Sequence, residues 1–479
     1  MSLIIALLAV VLILLVYRIF RYKHIISRIP SPKGLPIVGL AAEILQDDSV
    51  ALFNRFRKYA KDHKGIYRIS LMFYDIIQIY NAEDAEQILK GNIHQWKGYD
   101  YEILENWLGT GLLTSVGEKW RTRRKLLTPA FHFQILQEFL ICFNEETRRF
   151  VKDMNENIDQ CQKDIKPCVI SFTMKTICET AMGLDDIDES NVVDYKIKMK
   201  KYVDIIIKRT QQFWNRIPFI YNLTAEAKRE QSLVSDMHKF SRDIIINRMK
   251  KRSGSTIKRK RVAMLDLLLN SKETGEQIDM EGIQEEVDTF VFAGHDTTAA
   301  CINLLLLLFA NHPDVQEKAR EEVENIFQGE DRDCSLEDLS KLEYLECCIK
   351  ETLRIYPSVP LISRRCSENY TTATGYQIPE GTIMTLHIFD LHRDPKIYPD
   401  PEKFDPERFT AENSKNRPPF AFIPFSGGPR NCIGNYNQKF TQYYMKGTSH
   451  YRKKNIILRS SRRRNTSHPI DHYLKMKIK

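Results

Sequence analysis

The ten residues Phe425-Ser-Gly-Gly-Pro-Arg-Asn-Cys-Ile-Gly434 constrain this chain more than any other stretch. A cysteine that serves as a metal ligand must be a thiolate, and a thiolate needs donors and positive charge around it. Glycines at 427, 428 and 434 let backbone N–H groups turn toward the sulfur of Cys432. Arg430 stands two residues away and can meet an anionic group on a ligand, and Phe425 can screen the sulfur from water. A buried cysteine in a glycine turn would show the same spacing, so the loop has to be weighed with the rest of the chain.

Other enzyme signatures are missing. The sequence holds no HExxH, GxSxG, Walker A or GxGxxG pattern. Its ten cysteines form no CxxC and no zinc-spaced set, and they read as reduced thiols of a cytosol-facing protein.

From about residue 40 to 350 apolar residues recur every three or four positions. Helices are expected over 51–61, 120–127, 135–153, 169–182, 232–251, 283–310, 313–327 and 342–355. Residues 67–71 and 76–80 read as a strand pair. After Tyr356 eleven prolines crowd about 75 residues, so short strands and ordered loops replace helices there. The basic run 250–261 reads as a solvated loop between two helices.

The FxxGxRxCxG pattern of Phe425, Gly428, Arg430, Cys432 and Gly434 resembles the haem-binding loop of the cytochrome P-450 superfamily of haem-thiolate monooxygenases. Glu351-Thr-Leu-Arg354 resembles that superfamily's ExxR, and Pro406-Glu-Arg408-Phe409 its PERF segment. An i,i+3 Glu–Arg pair on a helix is usually solvated and worth little. The resemblance implies instead that Glu351, Arg354 and Arg408 lock the region behind the haem. Ala293-Gly-His-Asp-Thr-Thr298 resembles the oxygen-binding stretch of the central helix. Glycine and threonine weaken a helix, and a gap there would admit dioxygen and water. Asp296 and Thr297 would then relay protons. Trp120-Arg-Thr-Arg-Arg124 resembles WxxxR, so Trp120 and Arg124 would reach the haem propionates, as would Arg364. His295 reads as a helix residue, not a haem ligand.

Glu286-Val-Asp-Thr-Phe290, the run Trp120 to His132, and Phe420-Ala-Phe-Ile-Pro-Phe425 resemble family 4 of the superfamily, with the match running from the hinge to about Lys446. That family is known for fatty-acid ω-hydroxylation and, in insects, for hydrocarbon, hormone and xenobiotic oxidation. Many members carry, where this chain has Ala293, a glutamate that can esterify the haem. The implied cofactor here is therefore haem b, with its iron on Cys432 and no covalent link. The implied fold is mainly α with a small β part, the haem-thiolate fold. The implied partners are NADPH–cytochrome reductase, a cytochrome b-type second donor, a lipophilic small molecule and the membrane. The rival reading is a membrane-anchored haem-binding protein with little or no turnover because of an altered C-terminus.

The two ends differ from the body. Met1 to Tyr17 carries no charge, and at 1.5 Å per residue it spans about 25 Å, enough for a thin bilayer. Arg18, Arg21, Lys23 and Arg28 follow, which keeps that side cytoplasmic. No basic region precedes the run and no small-x-small site follows it, so a retained signal-anchor is expected in the endoplasmic reticulum membrane. A basic linker and Pro-rich hinge would occupy 18–39, the monooxygenase domain 40–446 and an atypical basic tail 447–479. Residues 445–479 hold 11 Lys and Arg against one acidic residue; without them the chain carries 60 basic and 61 acidic side chains. The basicity thus belongs to the tail, and a nucleic-acid binder is not expected. Asn435-Tyr-Asn437 looks inserted before Gln438. A tail so poor in apolar period cannot easily offset its ordering entropy, so disorder and a shifted or alternatively spliced reading frame are the expectation.

Overall fold

The computed structural model describes residues 22–36, 38–72, 74–91, 96–131, 133–156, 164–184, 187–254, 263–275 and 278–434. The expected anchor over 1–17, the insertion at 435–437 and the basic tail lie outside the described residues. The chain divides into two units, one comprising residues up to Asp100 with Leu361–Leu391 and Pro418–Arg430, the other the remainder.

The first unit is built on alternating β-branched residues. Helix α1 (Ser49–Asp62) precedes β1 (Ile66–Leu71) and β2 (Tyr74–Ile79), and α2 (Ala82–Lys90) follows them. Tyr67, Ile69 and Leu71 are buried on β1 and Ile77 and Ile79 on β2, the period of two of a half-covered sheet. β1 and β2 pair antiparallel with Ile69 opposite Ile76, close to the expected hairpin. The late, proline-rich part of the chain supplies the other edge. With β3 (Leu361–Arg365) and β6 (Ile383–His387) the sheet runs β1-β2-β6-β3, β2 parallel to β6 and β6 antiparallel to β3. A two-stranded ribbon, β4 (Tyr370–Thr371) and β5 (Gln377–Ile378), completes the strands.

The Pro-rich segment lies along β1: the Arg68 N–H donates to Pro30 O at 2.8 Å and the Leu40 N–H to Ser70 O at 2.9 Å. Gly39 sits at φ +62°, and a Cβ there would stand 2.2 Å from Ser70 O, so only glycine lets the segment approach. Ile26 and Ile29 are buried in the same core.

The second unit is helical. Its elements are α3 (Gly117–Leu127), α4 (Phe133–Glu156), α5 (Lys166–Thr180), α6 (Glu189–Gln211), α7 (Ala225–Gly254), α8 (Met264–Glu273), α9 (Met280–Asn311), α10 (Pro313–Phe327) and α11 (Glu343–Ile355). Seven of these match the helical readings of the sequence within a turn or two. Residues 250–254, expected in a loop, continue α7. Helix α9 is the centre. Asp279 caps it through the Gly282 N–H at 2.8 Å, and Pro313 opens α10 just beyond its end. Ile283, Val287 and Val291 are buried on one side and Ile302, Leu304 and Leu305 further along. Each is worth roughly 1.5–3 kcal/mol of burial. Among the described residues α9 alone is long and apolar enough to cross a membrane. Its buried Glu286 and Asp288 and its place in the core make it a core helix instead.

Helix α9 runs unbroken through Gly294. The gap expected at the glycine–threonine stretch is not opened by a break. A Cβ on Gly294 would meet Ile177 Cδ1 at 2.6 Å. The glycine lets α5 pack closely against α9.

Candidate active site

The second unit holds the cysteine. Arg124, in the last turn of α3, donates from Nη1 to Asn431 O and from Nη2 to Asn431 Oδ1, both at 2.8 Å. The guanidinium therefore grips the residue before Cys432. Trp120, one turn earlier, is buried. Cys432 is the exposed member of the described cysteines. Burial nevertheless pushes its thiol up, against the Gly434 N–H and Arg124, which both favour the thiolate. By contrast Cys178 and Cys301 are closed into the core with thiols pushed up to about 12, and they are inert.

The loop that carries the cysteine begins in the first unit. Ser426 and Gly428 both adopt positive φ, +61° and +67°. A Cβ on Gly428 would fall 1.8 Å from Leu89 O at the end of α2, and one on Gly427 would fall 2.6 Å from Phe420. The glycines therefore seat the loop on α2. Phe425 and Arg430 are half-buried.

Arg364, on β3, is 2% exposed and donates to its neighbour Ser363 O at 2.9 Å. Residues 96–100 lie along this strand: the Arg365 N–H donates to Trp96 O at 3.0 Å, Gly98 packs on Ser363, and the Ser363 hydroxyl donates to Asp100. Lys97 stands among them. Burial, then Arg364 and Arg430, drive its ammonium well below the lysine range, with Asp100 pulling the other way. Three cations thus converge in this unit. Lys97 was not found from sequence, and no motif marks it.

The pair Glu351–Arg354 on α11 is fully buried. Arg354 donates to Glu351 from Nε at 2.7 Å and from Nη2 at 2.8 Å. It also donates to His392 O at 3.1 Å, Pro401 O at 2.7 Å and Lys403 O at 3.2 Å. Glu351 accepts the Asp405 N–H at 2.9 Å, and Arg408 Nε stands 3.5 Å from the same carboxylate. The three residues named from the resemblance are thus brought together.

On α9, Thr297 Oγ1 donates to Ala293 O at 2.8 Å, and Thr297 O accepts from Ser358 Oγ at 2.9 Å. Asp296 and Thr297 are both half-buried. His295 is buried with Nδ1 2.5 Å from Val291 O, and burial lowers its pKa. It is a neutral core residue, as expected. Thr297 and Cys432 are not bonded to one another.

In the second unit the donors around Cys432 suit a thiolate that would hold a haem iron. Within the first unit Arg364 and Arg430 stand beside Lys97, and guanidinium groups suit carboxylates such as haem propionates.

A family model for cytochrome P450 matches residues 29–436, and the chain belongs to that family. It is a haem-thiolate monooxygenase, an oxidoreductase whose haem is bound non-covalently. Among its relatives are cytochrome P450 4V2 of Rattus norvegicus, 40% identical over 86% of this chain and 81% of the relative. The Homo sapiens 4V2 protein is 40% identical over 85% and 80%. Cytochrome P450 4c3 of Drosophila melanogaster is 38% identical over 90% and 84%. The family-4 resemblance and its animal character stand on these matches. The rival reading of a haem binder without turnover draws no support from them. The family implies a redox partner and a lipophilic substrate. The match ends at residue 436, about ten positions before the expected end near Lys446.

Proposed function

We propose that this chain hydroxylates fatty-acid-like substrates at an unactivated C–H bond. The observation that carries the reading is the seat of Cys432: an accessible, desolvated thiol held between the Gly434 N–H and Arg124. The bound haem supplies oxygen activation, so that S–H, O2, NADPH and H+ become S–OH, H2O and NADP+.

The residues divide the remaining work. Cys432 would hold the haem iron as its thiolate, and Arg124 and Gly434 favour its negative charge. Phe425 keeps water from the sulfur, and Gly428 gives the loop its close seat on α2. Arg364, Arg430 and Lys97 hold the propionates, with Trp120 and Arg124 on α3 serving the same group. Thr297 and Asp296 deliver protons from α9. Glu351, Arg354 and Arg408 hold the chain behind the haem in one shape.

Met1–Tyr17 anchors the chain in the endoplasmic reticulum membrane in a single pass, with 18–39 as the link, 40–446 as the cytoplasmic monooxygenase body and 447–479 as an atypical basic tail. NADPH–cytochrome reductase on the same membrane supplies electrons, with a cytochrome b-type protein as second donor. The test is reconstitution of the full chain with reductase, NADPH and a series of straight-chain fatty acids of increasing length. Mass spectrometry should find hydroxylation near the chain end, lost with Cys432→Ala. Oxidation confined to hormone- or xenobiotic-type compounds would overturn the substrate assignment. A thiolate-type reduced-CO spectrum retained by Cys432→Ala would overturn the ligand.

A further inference from the structure

Ser358 lies just past α11, between Pro357 and Val359, and is 8% exposed. Its hydroxyl donates to the backbone carbonyl of Thr297, 61 positions away in sequence, at 2.9 Å. A carbonyl inside an α-helix is already engaged by the N–H four residues on. A second donor from outside draws that carbonyl off the helix axis.

The same turn carries a second off-axis bond. Thr297 Oγ1 donates back to Ala293 O at 2.8 Å, a pattern that loosens and bends helices. Gly294 sits between the two ends of that bond and gives the backbone its least intrinsic support. Residues 293–297 are therefore the stretch of α9 where an external brace has most effect. Ser358 is that brace.

The brace stands on a stiff foundation. Glu351 and Arg354 fix α11 through the saturated, fully buried bonds described above. The Tyr356 N–H closes the helix on Thr352 O at 2.7 Å. Pro357 then fixes its own φ, so the path from Arg354 to Ser358 has few soft torsions.

We propose that Ser358 is a positioning residue for proton delivery: its hydroxyl sets the placement of Thr297 on α9 and ties it to the Glu351–Arg354 lock. The inference rests on the reading of Thr297 as a proton-delivering residue. A hydroxyl displaced by a fraction of an ångström delivers protons late, and reducing equivalents escape as peroxide.

The experiment compares Ser358→Ala, Ser358→Thr, Thr297→Ala and the double variant in the haem-loaded full chain with reductase. NADPH consumed per product, peroxide released, spectral substrate affinity, the reduced-CO band and the melting midpoint are read for each. Ser358→Ala should raise NADPH per product about two- to ten-fold, the range one lost hydrogen bond allows. Substrate affinity and the CO band should stay as in the parent. Ser358→Thr, which restores the donor, should restore coupling. Adding Ser358→Ala to Thr297→Ala should cost nothing further. Ser358→Cys keeps the volume and weakens the donor; should the alanine variant not fold, it should be intermediate in coupling. Parent-like coupling in Ser358→Ala or Ser358→Cys, with Thr297→Ala uncoupled, overturns the role of Ser358 alone. Parent-like coupling in Thr297→Ala overturns the reading of Thr297 and the inference with it.

Discussion

Buried charge is handled in opposite ways in the two units. On α11, Glu351 and Arg354 are both completely buried, and each is met by several partners. Burial pushes the Glu351 carboxyl up, while Arg354, the Asp405 N–H and Arg408 pull it back. Beside β3, Lys97 is desolvated next to two further cations, and its ammonium is driven down. The first arrangement is complete in the protein alone. The second concentrates like charge, which a dianionic ligand relieves. The difference separates opposite charges that answer one another from like charges that the fold brings together.

The largest expected effect comes from breaking the complete arrangement. Arg354→Ala leaves Glu351 buried without its main partner, which costs about 3–5 kcal/mol. The variant should unfold at much lower denaturant and retain little haem. The paired change Glu351→Gln with Arg354→Met should recover part of the loss, because both charges leave together. Denaturant unfolding of the two variants measures this. Equal losses in both would mean that the backbone bonds of Arg354 matter more than the ion pair.

A smaller and opposite effect is expected at the other arrangement. Lys97→Met removes the amine whose ammonium burial, Arg364 and Arg430 all oppose, so haem-free stability should hold or rise slightly. Haem affinity should fall roughly ten-fold, as for one lost charged hydrogen bond. The rate of haem transfer to an apoglobin reads the second quantity and thermal unfolding of the haem-free chain the first. A loss of stability with haem transfer unchanged would make Lys97 a fold residue like Arg354, and the contrast would collapse.

What the sequence revealed follows the same division. Glu351, Arg354 and Arg408 stand in short fixed patterns, because a lock made within one helix and one loop leaves a local trace. The loop glycines could be read as close approaches, although not that Gly428 meets Leu89 O. Lys97 left no trace, since its neighbours Arg364 and Arg430 are hundreds of positions away and a lone lysine is the commonest surface residue. Ser358 is equally silent within Pro-Ser-Val-Pro. Helix α6 escaped for a different reason. Its buried stripe of Val192, Tyr195, Met199 and Tyr202 has helical spacing, but exposed Val193 and Ile197 on the opposite side blur it. Gly294 was read as a weakness in α9, and its close approach to Ile177 left no trace in the sequence.

Glu286 offers a third treatment of buried charge, one that shows only as a change of stability with pH. It is 0% exposed on α9, and its Oε2 accepts the Leu112 N–H at 3.1 Å. Its Oε1 has no hydrogen-bond partner among the described residues. Burial pushes the carboxyl up to about 7, against Leu112 and Arg123, with Glu285 adding to the rise. An unfolded glutamate titrates near 4.3. Between those values the folded chain binds the extra proton, so stability falls as pH rises. The contribution is fully present below about pH 4 and gone once pH has passed through about 7. Glu286→Gln keeps the volume and removes the titration. Its stability relative to the parent should therefore increase from pH 5 to pH 8, by on the order of 2–3 kcal/mol. Taking the difference between variant and parent at each pH cancels the other titrating groups. The opposite slope, with the parent gaining on the variant as pH rises, would show that Arg123 answers Glu286 as Arg354 answers Glu351. Glu286 would then join the complete arrangement, and burial alone would no longer explain its proton.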